Sequence, residues 1–249
     1  MDSPVRKPLT ISDKYKLDIR KYAIIVAGGS GLRAGGDIPK QFQAICGRPM
    51  LWWSLKAFYD EDPSCRLIVV LHPGFFDDWD RLCSELMEEQ IPHEVVCGGR
   101  TRAESVANGL MAIPIKENDG IVAVHDAARP LVTTGIIRRG WEKCMESGFG
   151  SVPVVPVTDS LRVCSGGKSQ AVDRSLYVCV QTPQVFPLQS LRTAYRQADT
   201  LSVQFTDDAS VVEASGFYVS LYDGSPENIK VTHPSDFTVA GLLLSERLS

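Results

Sequence analysis

The chain has no cysteine pair at Cys-x-x-Cys spacing, no apolar run approaching a membrane span and no large excess of either charge. Each lack removes a class of function. Seven cysteines, an odd number, are scattered from Cys46 to Cys179, and the four histidines are dispersed. A structural zinc site is therefore not expected, and the thiols read as free groups in a reducing cytoplasm. Without a long apolar run no membrane-spanning helix is expected. A net charge of −4 gives no electrostatic reason to bind nucleic acid or a membrane surface. The first twenty residues are polar and lack an apolar signal core, so secretion is not expected. Residues 1–21 read as a disordered extension, and 22–249 as one domain. Repeats, low-complexity tracts and long linkers are also missing.

What is present is ordinary in bulk, 44% hydrophobic and 22% charged, and unusual in one place. Ala23 to Ala27 is a short, β-branched apolar run that reads as a buried strand. It breaks into Gly28, Gly29, Ser30 and Gly31, then Gly35 and Gly36, with Arg33 and Lys40 in the same loop. Bare backbone between two cations suits a polyphosphate. The loop is no Walker A sequence, because Asp37 follows Gly36. A dinucleotide fingerprint is approximated by Gly29, Gly31 and Ala34, but Pro49, Met50 and Leu51 stand where an acidic residue is expected. A flexible glycine turn is the plainest reading and the weakest.

Beyond this loop, apolar β-type runs alternate with helix-period segments. Strands are expected at 67–71, 93–97, 121–125 and 152–157, and helices from Pro49 onward, over 75–86, behind Thr101, over 134–147, 188–199 and 207–214, and from Ser235. Thr101 and Glu104 fit a capping box. Phe217 to Tyr222 alternates like a half-exposed strand, and Asn228 to Val231 reads as a short one. This rhythm predicts an α/β fold, a Rossmann-like, mostly parallel twisted sheet flanked by helices. Residues 157–178 interrupt it with a hairpin too poor in apolar residues to form a core, a candidate dimerisation arm. Ligands of such sheets sit beyond the carboxyl ends of the strands. There the sequence places the glycine loop, Gly98-Gly-Arg100 and His125-Asp-Ala-Ala-Arg-Pro130. Asp126, ending a strand, is a candidate for a metal ion or a ribose hydroxyl.

Val26-Ala-Gly-Gly-Ser-Gly-Leu-Arg33 with Ile38-Pro-Lys-Gln41 resembles the nucleotidyltransferases that activate sugars and polyols. Adding Gly98 to Val106, His125 to Pro130, Val172-Asp-Arg174, Gln181-Thr-Pro-Gln184, Thr206 to Ser210 and Asn228 to Thr232, the chain is similar to the 2-C-methyl-D-erythritol 4-phosphate cytidylyltransferase family from about Tyr22 onward. The resemblance implies CTP and methylerythritol phosphate as substrates, magnesium or another divalent cation as cofactor, and a homodimer joined through the arm. It implies that Ala27, Gly28, Gly29, Gly31, Gly99, Arg100, Ser105, Asp126 and Ala127 bind the nucleotide. Arg33, Lys40 and Lys230 would be catalytic. Asp126, Arg129, Ser160, Arg174 and Thr206 would hold the acceptor, with Asp126 also on the metal and the arm's Ser160 and Arg174 serving the partner's site. Arg100 stands where the family often has an acidic residue, and Ser160 where threonine is common. A ribitol 5-phosphate cytidylyltransferase, an NAD(P)-binding reductase and a non-catalytic nucleotide-binding regulator are the alternatives.

Overall fold

The computed structural model describes residues 19–28, 39–86, 89–198 and 205–249. The expected extension up to residue 18, and Gly29, Gly31 and Arg33 of the glycine loop, lie outside the described residues. Strand β1 spans Lys21–Ala27, followed by the two-residue strands β2 (Ala44–Ile45) and β3 (Arg48–Pro49) and helix α1 (Met50–Glu61). Then come β4 (Arg66–Leu71), α2 (Phe76–Glu85), β5 (Glu94–Cys97), α3 (Arg102–Ala112), β6 (Ile121–Asp126) and α4 (Thr134–Ser147). The last part holds β7 (Gly150–Pro156), β8 (Arg162–Ser165), β9 (Lys168–Ala171), β10 (Val178–Val180), β11 (Gln184–Pro187), α5 (Leu188–Ala198), α6 (Asp208–Ala214), β12 (Val219–Asp223) and α7 (Pro234–Leu248).

The main sheet runs in the order β10-β7-β11-β6-β1-β4-β5, with β12 also on β7. Strands β5, β4, β1 and β6 are parallel, and β11 lies antiparallel between β6 and β7. The α/β class and the mostly parallel sheet are as the rhythm predicts. Side chains alternate across the pleat. Ile25 and Val69 meet α1, α2 and α4 on one face, while Ile24 and Val70 meet α3, α5 and α6 on the other. A third cluster ties α7, through Ala240 and Leu244, to Ile45, Met50, Leu131 and Val231. That cluster fixes the segment carrying Lys230.

Two expectations need correction. Residues 228–231 form no strand; Val231 N–H donates to Ala128 C=O at 2.7 Å, but no ladder follows. The capping box is half made. Thr101 accepts from Glu104 N–H, whereas the Glu104 carboxylate accepts from Arg100 N–H, one residue earlier. The arm is longer than its hairpin, because after β8 and β9 the chain returns as β10 on β7. Gly166 and Gly167 both have positive φ, 56° and 75°, the left-handed pair that a two-residue hairpin turn requires.

Candidate active site

The carboxyl ends of β1, β4, β5 and β6 lie along one rim. Close approach there depends on missing side chains. A Cβ on Gly28 would come within 3.0 Å of Ser105 Oγ, and one on Gly99 within 2.2 Å of Glu104 Cβ. A cavity of about 260 Å³ opens on this rim. Ala27 at the end of β1 and Gly28 just beyond it line it, with Lys40 and Gln41 from the following turn, and Gly99 to Arg102 and Ser105 from the start of α3. Asp126, Ala127 and Ala128 line it beyond β6, and Lys230 ahead of α7.

Asp126 ends a strand whose six residues are all buried. Its Oδ1 accepts from Arg102 Nε at 3.1 Å and its Oδ2 from Lys230 Nζ at 2.7 Å. Burial alone would raise its pKa, but the Arg102 and Lys230 cations outweigh that and hold it well below the usual carboxylate range. Arg102 is itself shared. Its Nη2 donates to Asp208 Oδ2 at 2.7 Å, and the Tyr195 hydroxyl donates to Asp208 Oδ1 at 2.6 Å. Burial lowers the Arg102 pKa, yet Asp208 and Asp126 together leave it raised. Lys40 Nζ donates to Val231 C=O at 3.1 Å, next to Lys230.

Where α3 begins, Gly99 N–H donates to Ser105 Oγ at 3.1 Å, and that hydroxyl donates to Thr101 C=O at 2.9 Å. The Arg100 side chain is 91% exposed and pairs with Glu104. Behind Asp126 lies a second chain. Asp126 N–H donates to Thr182 Oγ1, and Thr182 Oγ1–H meets His125 Nδ1 at 3.1 Å. His125 Nε2 meets Arg129 C=O at 3.2 Å, and a carbonyl can only accept, so Nε2 carries the proton. Burial pushes the His125 pKa down to about 4, so the ring is neutral near pH 7.

Four expected residues lie away from the cavity wall. Arg129 turns its guanidinium to Asn228 C=O at 2.7 Å and Val180 C=O at 3.4 Å, and burial lowers its pKa. Ser160 and Arg174 are exposed on the arm, where Arg174 donates to Thr158 C=O. Thr206 is exposed just before α6.

Arg102, Asp208 and Tyr195 were not singled out by sequence reasoning. One signal pointed to Arg102: it is the first residue of α3, where the helix dipole disfavours a cation. A nearby carboxylate would offset that, but its identity depends on contacts up to 106 residues apart. No group of three or more His, Cys, Asp or Glu side chains that could hold a metal occurs among the described residues. No helix among them is long and apolar enough to cross a membrane.

Known proteins share this architecture. A 2-C-methyl-D-erythritol 4-phosphate cytidylyltransferase of Bacteroides thetaiotaomicron is 44% identical over 226 residues, covering 91% of this chain and 100% of the relative. One of Porphyromonas gingivalis strain W83 is 43% identical over 231 residues, 92% of this chain and 100% of its own. The crystal structure of the enzyme of that name from Thermus thermophilus superposes with a TM-score of 0.73 at 32% identity, covering 89% of this chain and 98% of that one. The family model described as IspD, 2-C-methyl-D-erythritol 4-phosphate cytidylyltransferase, matches residues 22–246. With that match over nearly its whole length, the chain belongs to the 2-C-methyl-D-erythritol 4-phosphate cytidylyltransferase family.

Proposed function

We propose that the protein transfers the cytidylyl group of CTP to 2-C-methyl-D-erythritol 4-phosphate, releasing pyrophosphate and giving 4-diphosphocytidyl-2-C-methyl-D-erythritol for non-mevalonate isoprenoid synthesis. Family membership over residues 22–246 carries the reading. The relatives described above bear this name, and none is named for ribitol phosphate or a nicotinamide reaction.

The chemistry suits the residues at the cavity. A phosphate monoester has a second pKa of about 6, so the acceptor oxygen is already anionic and needs no general base. The one histidine beside Asp126 is buried and neutral with both ring nitrogens engaged. The acceptor oxygen attacks the α-phosphorus of CTP in line and expels pyrophosphate. Two anions must meet, so catalysis is mainly positioning and charge stabilisation, which we assign to Arg33, Lys40 and Lys230. Lys230 lies on Asp126, ready to exchange that carboxylate for a phosphate. We assign Gly28, Gly29 and Gly31 to the triphosphate, Gly99, Arg100 and Ser105 to the base, and Ala27 and Ala127 to the nucleoside. Asp126, Arg129 and Thr206 take the acceptor.

Among the described residues lining the cavity, Asp126 is the carboxylate that could hold magnesium, with its Oδ2 released once Lys230 turns to a phosphate. Magnesium commonly takes one or two carboxylates and completes its shell with substrate phosphates and water. When bound, the ion would neutralise charge on the triphosphate. We further propose a homodimer in which the arm presents Ser160 and Arg174 to the other protomer's site. Val163 and Leu176 on that arm are 54% and 78% exposed, apolar surface that a second copy would cover. Seven free thiols suit a reducing compartment, and we place the protein in the cytoplasm.

Pyrophosphate release with CTP and magnesium, measured with methylerythritol 4-phosphate or ribitol 5-phosphate as acceptor, tests the reading. Release with the first alone is expected. Release with the second alone would overturn the acceptor, and release with neither would overturn the activity.

A further inference from the structure

Asp126 is held from two sides, and the two sides differ. Lys230 belongs to an irregular segment, its side chain 44% exposed, and the proposed reaction gives it a second use at the reacting phosphate. Arg102 is held more firmly. It bridges Asp126 and Asp208, and the Asp208 side chain has no exposed surface. The remaining Asp208 oxygen is taken by the Tyr195 hydroxyl. One chain of contacts therefore runs from α5 through α6 and α3 to the end of β6. Asp208 and Tyr195 do not line the cavity, and the contact that links them to it is the Asp208 carboxylate on Arg102.

The charges explain the arrangement. Two carboxylates and two cations balance while Lys230 rests on Asp126. When Lys230 turns to an incoming phosphate, Asp126 loses one of its two partners. A carboxylate left with no partner at this depth would be strongly disfavoured. Arg102 can still hold it, since its planar fork engages a second carboxylate in a fixed orientation.

We infer that Arg102, fixed by Asp208 and Tyr195, is a positioning residue that keeps the Asp126 carboxylate oriented while Lys230 moves to the substrate. The inference rests on the cytidylyl-transfer reading.

The test is steady-state kinetics of CMP transfer by wild type, Arg102→Lys, Arg102→Gln, Asp208→Asn, Tyr195→Phe and the Arg102→Gln/Asp208→Asn double variant, each checked for folding by circular dichroism. Arg102→Gln is expected to lower kcat roughly tenfold to a hundredfold, with KM for CTP held within about threefold. Arg102→Lys recovers part of the loss. Asp208→Asn falls about as far as Arg102→Gln, and the double variant falls no further, because both act through one chain. Tyr195→Phe removes a single hydroxyl and is expected to cost about threefold in kcat. It carries the test if the others do not fold. Wild-type kcat in Arg102→Gln, a change confined to KM, or single losses that multiply in the double variant would overturn the inference alone. So would wild-type kcat in a folded Tyr195→Phe. Wild-type protein that transfers no CMP would overturn the functional reading, and this inference with it.

Discussion

At the scale of single residues, Lys40 and Lys230 approach one another through Val231, whose carbonyl accepts from Lys40 while the neighbouring Lys230 reaches Asp126. Neither ammonium is part of the hydrophobic core, so losing one should change the site more than the fold. Lys40→Ala and Lys230→Ala are each expected to lose roughly a hundredfold or more in turnover while unfolding close to the wild-type temperature. Pyrophosphate release and thermal melts check both halves. The His125 ring is the opposite case, buried and committed to Thr182 and Arg129. It stays neutral in the fold down to about pH 4, but takes a proton near 6.5 when unfolded. The unfolded chain therefore binds more protons between these values, and stability falls as pH drops from 6.5 to 4. The loss is on the order of 3 kcal/mol. Denaturant midpoints over that range should show the slope, and His125→Gln should flatten it whatever its stability at pH 7. The depressed Asp126 pKa acts lower, stabilising above the usual carboxylate range and failing only in stronger acid.

At the scale of elements, α3 lies close on the sheet because Gly109 faces β1 and β4. A Cβ there would fall 2.7 Å from Ile24 Cγ2 and 3.2 Å from Val70 Cγ2. Gly109→Ala must push the helix outward, although alanine favours helix, and is expected to cost about 1–3 kcal/mol by urea unfolding. The same helix carries Arg102 and Ser105, so turnover should fall with it. The helix periods of α3 and α4 were legible because each helix buries one stripe, and the parallel strands β1, β4 and β6 because each is a short, nearly continuous apolar run buried on both faces. Strand β11 was not, since Gln184 begins it and Pro187 ends it. Its identity comes from β6 and β7 on either side, which pair with it antiparallel. The reading of 228–231 as a strand failed for the related reason that an apolar alternation needs a partner edge.

At the scale of the whole molecule, the arm stands outside the core, with both strands of its hairpin exposed throughout. If a second copy covers it, Leu176→Arg should shift the protein from dimer to monomer in sedimentation velocity. Turnover should fall too, since Ser160 and Arg174 would no longer reach a neighbouring site. An unchanged sedimentation coefficient with full activity would remove the arm from assembly.

The sequence by itself determined the α/β class, the parallel strands and the rim on which loops meet, because hydrophobic period and glycine placement are local. It also named the family through ordered motifs. The tertiary structure alone decided that Arg102 bridges Asp126 and Asp208, that His125 is neutral, and that Arg129 turns to Asn228 and Val180. Those facts depend on burial and on charges brought together from distant parts of the chain, and neither is encoded in the spacing of any single segment.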